Sequence, residues 1–325
     1  MQLYRLFSEK LGQKFLWCGR KVFVVDGTRV NLPQSFVAKK YKTPGKHAFY
    51  PQGLVSLLYD PIARLPVTAI LSRHGNERKA AAQLLLALQP GNILVYDRGY
   101  LSQTLLSKLV SSRLDGIFRL PSQSFAEFRD FQNSGAKETQ VSICRKGFYV
   151  RLRLIRYKAK NTEVILATTL LDSEEFPAAE VAKLYGKRWR IEEAFKRVKH
   201  CLNVEKWHSK SVKGVRQELF ISLIKVFLIN LLNMRPKHIR QRPSARVARK
   251  AVEKLLLQTR AQGRIELSEV RKGFWIGSKY RVQNRSGRSF PRVSRQPIGK
   301  FRLPRKKRAR LAKAQALLAE TANVP

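Results

Sequence analysis

The sequence predicts an α/β fold, α+β in the sense of one mixed sheet with helices packed on its faces, and three observations lead to it. Residues 21–120 alternate short aliphatic or β-branched runs with helix-forming segments in the order βββαβαβ. Residues 125–172 change texture to a period-two alternation of apolar and basic side chains. The remainder is helical and then strongly basic, and 44% hydrophobic residues over 325 positions suffice to bury a sizeable core.

After a short N-terminal segment, 1–20, the run KVFVVD reads as a strand ending on an acid, Asp26. LVSLLY (54–59) and PVTAIL (66–71) read as two more, the three meeting at hairpins. Asn76 stands as a helix cap before Glu77 and ERKAAAQLLLALQ, which Pro90 and Gly91 close. ILVYD is a fourth strand, again ending on an acid, Asp97; residues 101–113 follow as a helix and GIFRL (116–120) as a fifth strand. Residues 21–124 thus make the first part of a core.

VSICRKGFYVRLRLIRY and EVILATTLL mark 125–172 as an all-β insertion. The second part of the core, 173–235, holds one helical segment from about Ala178 to Leu202 and an apolar helix around 217–232. Leu219–Leu232 is broken by Lys225 and Asn230 and falls short of the ~20 residues of a membrane span, so it reads as a helix covered all round. A basic helical region occupies 236–270. The tail, 271–325, holds 16 Lys+Arg against one acid, Glu320.

With 65 Lys+Arg against 22 Asp+Glu, the net charge of +43 calls for a polyanion partner. Cys18, Cys144 and Cys201 stand far apart with no CxxC pair, which argues against a disulfide scaffold or a thiolate zinc site. The first 15 residues mix charge into every turn, unlike an export signal, so the expected place is the cytoplasm, at the nucleoid.

On a helical projection of LYGKRWRIEEAFKRVKHCL, Tyr185, Arg188, Glu192 and Lys199 fall within ~60° of one another, beside an apolar face of Ile191, Ala194, Phe195, Val198 and Leu202. Glu193 points elsewhere. A solvated charged face explains such a stripe equally well. Two strand-end aspartates and a helix glutamate can, however, gather into a cluster that stays ionised only around a cation. Hard oxygen ligands of this kind suit Mg²⁺, and a pair of such ions can drive in-line attack on a phosphodiester.

Tyr185, Arg188, Glu192 and Lys199 also stand in the spacing Y-x2-R-x3-E-x6-K, with Asp26-Gly27-Thr28 and Asp97-Arg98-Gly99-Tyr100 ahead of them and the TTLLD of Thr168–Asp172 between. In these motifs, over residues 21 to about 235, the sequence resembles the DDE transposases of bacterial insertion sequences, in particular the insertion sequence 4 branch. The resemblance implies an RNase H-like catalytic core interrupted by the β-rich insertion. It implies Asp26, Asp97 and Glu192 as ligands of two Mg²⁺ ions, with Mn²⁺ able to substitute, cutting transposon ends and joining the 3′-hydroxyl to target DNA. It implies that Tyr185, Arg188 and Lys199 hold phosphates, and that a homodimer works on double-stranded DNA.

Arg98 is a DNA contact or a strand-end ion pair, and Arg305, Lys306, Lys307 and Arg308 in the tail can grip any phosphate backbone. His47, His200 and His208 lack metal-ligand spacing to one another, and His74 reads as a loop or cap residue. Asp60 and Asp172 read as turn residues, and Trp189 and Trp207 as core, with base stacking the alternative. Only 25 residues precede Asp26, fewer than members of that branch carry. The expectation is a frame that is truncated or starts late, or end binding moved to the C-terminal part; the alternatives to an active transposase are a DNA-binding remnant without cleavage and a nuclease of the same fold.

Overall fold

The computed structural model describes residues 2–232, apart from 11, 46–47, 74, 121–124, 146, 160–161, 197 and 199–206, and residues 249–250, 252–254 and 257. All of them lie within Met1–Val282. The expected tail, its residues Arg305 to Arg308, most of the 236–270 region, Lys199, Cys201, His47, His74 and His200 fall outside the described residues.

Eight strands are formed by β1 (Val22–Asn31), β2 (Gln52–Asp60), β3 (Leu65–Ser72), β4 (Ile93–Tyr96), β5 (Asp115–Arg119), β6 (Glu138–Arg145), β7 (Phe148–Ala159) and β8 (Thr162–Thr168). They make one mixed sheet in the order β3-β2-β1-β4-β5-β8-β7-β6, in which β1, β4 and β5 run parallel and the other neighbours antiparallel. The central strands VFVV and ILVY are apolar at every position because both of their faces are covered.

On one face Val22, Val24, Ile93, Val95 and Ile117 pack under α5 (Ala178–Gly186), α6 (Trp189–Lys196) and α7 (Val212–Leu232). On the other, Phe23, Val25, Leu94, Tyr96 and Phe118 pack against α1 (Gln2–Lys10), α2 (Glu77–Leu84) and α3 (Gln103–Ser111). As expected, Asn76 caps α2, its Oδ1 accepting the Lys79 N–H at 3.0 Å.

Four expectations are corrected. Of the first three strands only β2 and β3 meet in a tight hairpin; β1 reaches β2 through a long connection that includes a 3-10 helix, Gln34–Lys39. Asp26 lies within β1 rather than at its end, because β2 continues to pair with β1 as far as Asn31. The 125–172 stretch contains a short helix, α4 (Arg129–Asn133), and is no separate layer. Its strand β8 pairs with β5 from Ile117↔Thr168 to Arg119↔Leu166, satisfying backbone groups that an edge strand would leave open. Finally, α7 exposes Phe220, Ile221 and Ile224 opposite the buried Val215, Leu219 and Leu223, so its first part is covered on one side among the described residues, whereas Val226, Phe227, Ile229 and Asn230 further along are all buried. No described helix is long and apolar enough to cross a membrane.

Candidate active site

Parallel pairing places the two aspartates. Val24 of β1 stands beside Val95 of β4, so two residues further along each strand Asp26 and Asp97 reach the same level and the same face. β1 and β4 stay paired only from Val22↔Ile93 to Val24↔Val95, so a notch opens beyond the carboxyl end of β4 and beside the continuing β1, and the carboxyl ends of parallel strands are where open α/β sheets bind ligands. Asp97 follows β4 directly and leads into a 3-10 turn, Arg98–Tyr100, in which Arg98 is exposed.

The third carboxylate comes from above the sheet. Sequence periodicity suggested one helix from 178 to 202; instead α5 ends at Gly186 and α6 begins at Trp189. Glycine is a weak helix former, and the junction tightens to i→i−3 bonds, Lys187 N–H to Leu184 O and Arg188 N–H to Tyr185 O, both 2.9 Å. In such a turn residues three apart eclipse, so Arg188 stands over Tyr185; one α-turn later Glu192 follows on the same side. The expected stripe therefore survives the break in the helix. Ile191, Ala194 and Phe195 anchor α6 on the sheet, and Glu193 is exposed, as expected.

Arg188 is the centre of the site. Its side chain is 5% exposed, against 20% for Asp26, 33% for Glu192 and 40% for Asp97, so the cation lies beneath three carboxylates that face the opening. Its Nη1 is 3.9 Å from Asp26 Oδ2, and its Nη2 is 3.6 Å from Asp97 Oδ2 and 3.4 Å from Glu192 Oε1. These separations exceed the ~2.7–2.9 Å of a charge-assisted hydrogen bond, so the guanidinium is shared rather than docked. Its Nε is buried with no hydrogen-bond partner among the described residues. The Tyr185 hydroxyl donates to Asp97 Oδ1 at 3.4 Å, and burial pushes that phenol up.

Burial pushes the Asp26 carboxyl up to about 6, against the pull of the Gly27 N–H and the Arg188 guanidinium; the charges of Glu77 and Asp97 add to the rise. Gly27 N–H donates to Asp26 Oδ1 at 2.8 Å. Glu77 is the residue that sequence reasoning passed over as a helix opener. A Cβ on Gly27 would lie 3.2 Å from its Oε1, so it forms a fourth carboxylate beside Asp26. Its signal was an acid in the first turn of the helix that follows β3.

The donor set, all carboxylate oxygens on one lip, is of the kind that Mg²⁺ takes. Among the described residues, no three acids, histidines or cysteines stand close enough to hold an ion as they are, because the guanidinium lies between them.

The two tryptophans part company. Trp207 is buried, its Nε1 donating to Asn31 O at 2.6 Å, as a core residue should. Trp189 is 61% exposed with the Arg188 guanidinium 5.6 Å from its ring centre, so its expected core role is corrected: α6 turns its apolar face to the sheet and Trp189 outward. Asp60 is a turn residue, as read, accepting from Tyr4 Oη at 2.7 Å and from the Ile62 and Ala63 N–H groups. Asp172 likewise accepts the Glu174 and Glu175 N–H groups.

A family model described as "Transposase DDE domain" matches residues 17–228. The chain belongs to the DDE transposase family. It is 25% identical over 312 residues to the transposase InsG for insertion sequence element IS4 of Escherichia coli (strain K12), covering 88% of this chain and 70% of that one. It is also 36% identical over 66 residues to the transposase for insertion sequence element IS421 of Escherichia coli, covering 20% and 18%. Among solved structures, a piggyBac transposase synaptic complex with hairpin DNA matches with a TM-score of 0.46 and 13% identity, over 89% of this chain and 64% of that one. The motifs that suggested the transposase family thus lie within or beside the matched span.

Proposed function

We propose that this transposase cuts the ends of its insertion sequence and joins the freed 3′-hydroxyl to target DNA through Asp26, Asp97 and Glu192. The observation that carries this reading is the meeting of these carboxylates around one buried guanidinium, each within 3.9 Å of it. The three would hold two Mg²⁺ ions, with Mn²⁺ as a substitute. Bound there, the metal supplies charge stabilisation for the phosphodiester oxygens and lowers the pKa of the attacking water or hydroxyl.

The chain's own groups orient the substrate. Arg188 can present its planar fork to phosphate oxygens, and Tyr185 can donate its hydroxyl. Burial holds the metal-free Asp26 carboxyl at about 6, so proton and metal would compete for it and metal binding would weaken as pH falls through that range. Strands β1–β5 with α2 and α3 would be an RNase H-like core that residues 125–172 separate from the glutamate helix. Arg98, Lys199, Arg305, Lys306, Lys307 and Arg308 would add backbone contacts to double-stranded DNA, gripped by a homodimer in the cytoplasm.

The test is Mg²⁺- or Mn²⁺-dependent nicking and strand joining on labelled duplex carrying the ends that flank the gene. Joined product should fall by about a thousandfold, about 4 kcal/mol, in Asp26→Asn, Asp97→Asn and Glu192→Gln, while DNA binding persists. Cleavage that survives in these variants overturns the ligand assignment. A second reading, a chain that binds DNA without cutting it, is favoured by the guanidinium at the cluster's centre. Binding by the parent with no product in either metal would select it.

A further inference from the structure

Two cavities of about 320 Å³ each open side by side on the catalytic unit. Arg29, Lys42 and Arg73 line one; Lys39, Lys40, Arg73 and Arg216 line the other, so Arg73 is common to both. No acid lines either cavity among the described residues. All six cations are exposed, and they come from β1, the connection 32–51, the loop after β3 and the start of α7. The fold has converged four separate segments of one sign on a concave strip.

Along the chain the strip lies close to the candidate active site. Arg29 lies three residues beyond Asp26 on β1, ~10 Å along the strand, an odd step that turns its side chain to the face of the strand opposite Asp26. Gly75, at the other wall, lies two residues before Glu77, the carboxylate beside Asp26. Lys40, the residue that closes the 3-10 helix Gln34–Lys39, holds a left-handed φ of 63°. Its N–H donates to Val37 O at 2.9 Å, which closes the turn and leaves the side chain at the cavity.

We propose that this strip is a docking groove for the phosphate backbone of duplex DNA leading away from the carboxylates. A duplex presents one charge per ~1.7 Å of axis, and a concave wall of like-signed cations with no lining acid matches such a line of charge. The sequence reads the C-terminal tail as a generic DNA grip; the groove adds a second one on the folded unit. The proposal rests on the transposase reading for the identity of the polyanion, and not on the metal site.

The test is equilibrium binding of a fluorescein-labelled 30-base-pair duplex to the full chain, without metal, across a salt series. Lys42→Gln, Arg73→Gln and Arg216→Gln together should weaken binding at least about tenfold and flatten the salt slope by about 2–3 in log–log units, roughly one per lost phosphate contact. The charge-keeping set Lys42→Arg, Arg73→Lys and Arg216→Lys should bind like the parent, which separates charge from folding. Neutralising Lys14, Lys108 and Lys158, exposed residues outside both cavities, should change affinity less than twofold. Equal losses from the groove and control sets, or parent-like binding by the groove set, would overturn the groove. A single-stranded RNA of matched charge that shows the same sensitivity would overturn the assignment to duplex DNA. A chain that never cuts but loses binding in this pattern would leave the groove standing and remove the catalytic reading.

Discussion

Two buried arginines, one on β7 near an end of the sheet and one over its centre beside β1 and β4, are held in different ways. Arg153 on β7 is fully buried, its Nε 2.6 Å from Glu138 Oε1 and its Nη1 2.6 Å from Phe176 O. Arg188 is nearly as buried, yet its three carboxylate partners all lie at 3.4–3.9 Å. Each leaves one nitrogen without a partner among the described residues, Nη2 of Arg153 and Nε of Arg188. Short, directed bonds to one carboxylate and a backbone carbonyl fix Arg153 as a structural lock between β7 and the segment leading to α5. Long contacts shared among three acids leave Arg188 exchangeable, since a phosphate or a metal could replace its partners, or itself, without breaking a good hydrogen bond.

The same contrast separates two aspartates. Burial pushes both Asp26 and Asp60 up to about 6. Asp60 accepts three hydrogen bonds, from Tyr4, Ile62 and Ala63, whereas Asp26 has the Gly27 N–H and a guanidinium at 3.9 Å. Satisfied buried polar groups mark structure, and under-satisfied ones gathered at a sheet's carboxyl end mark a site.

The largest way to break this comparison is to remove the lock. Arg153→Leu should cost about 3 kcal/mol in urea unfolding, because it strands the Phe176 carbonyl and the Glu138 carboxylate. A loss under about 1 kcal/mol would show that Arg153 is no more than a neutral pair.

Arg188→Gln should act oppositely. Stability should shift by at most about 1 kcal/mol, while the affinity of the DNA-free chain for Mn²⁺, read by electron paramagnetic resonance, should rise about tenfold as the competing cation leaves. Unchanged Mn²⁺ affinity would mean that the guanidinium does not hold the ion's place.

The pH response sharpens the aspartate half. Because the folded-state pKa of Asp26 lies above its unfolded value, its contribution to stability is complete below about pH 4 and is lost as pH rises through about 6. In chelator, Asp26→Asn should therefore flatten the unfolding free energy between those limits, and Asp60→Asn should remove the remaining dependence. A slope untouched by both changes would assign the dependence to other groups.

The smallest effect is expected at the tryptophans. Trp189→Ala should alter stability by no more than about 0.5 kcal/mol, as for an exposed side chain, whereas Trp207→Phe should cost about 1 kcal/mol through the lost bond to Asn31 O. Thermal unfolding of the two variants side by side would settle the pair, and equal losses would return Trp189 to the core.

Much of the molecule was legible in the sequence, and the particular elements say why. VFVV and ILVY announce strands buried on both faces through composition alone, and Asn76 announces α2 through its capping chemistry. Tyr185, Arg188 and Glu192 share a face under either helix geometry, so their stripe was readable although the junction at Lys187–Arg188 was not. These are local properties, set by side-chain period and by donors within a few residues.

What only the tertiary structure decided depends on pairing between distant segments. The continuation of β1 past Asp26 follows from β2, and the joining of β8 to β5 makes one sheet of what read as a core and an insertion. The level of Asp26 with Asp97 follows from the parallel register of Val24 with Val95. Arg29, Lys42, Arg73 and Arg216 become one groove only because strands, connection and helix fold onto one another. A sequence states which groups can donate, accept or carry charge; backbone hydrogen-bond register and the packing of α6 and α7 on the sheet determine which of them meet.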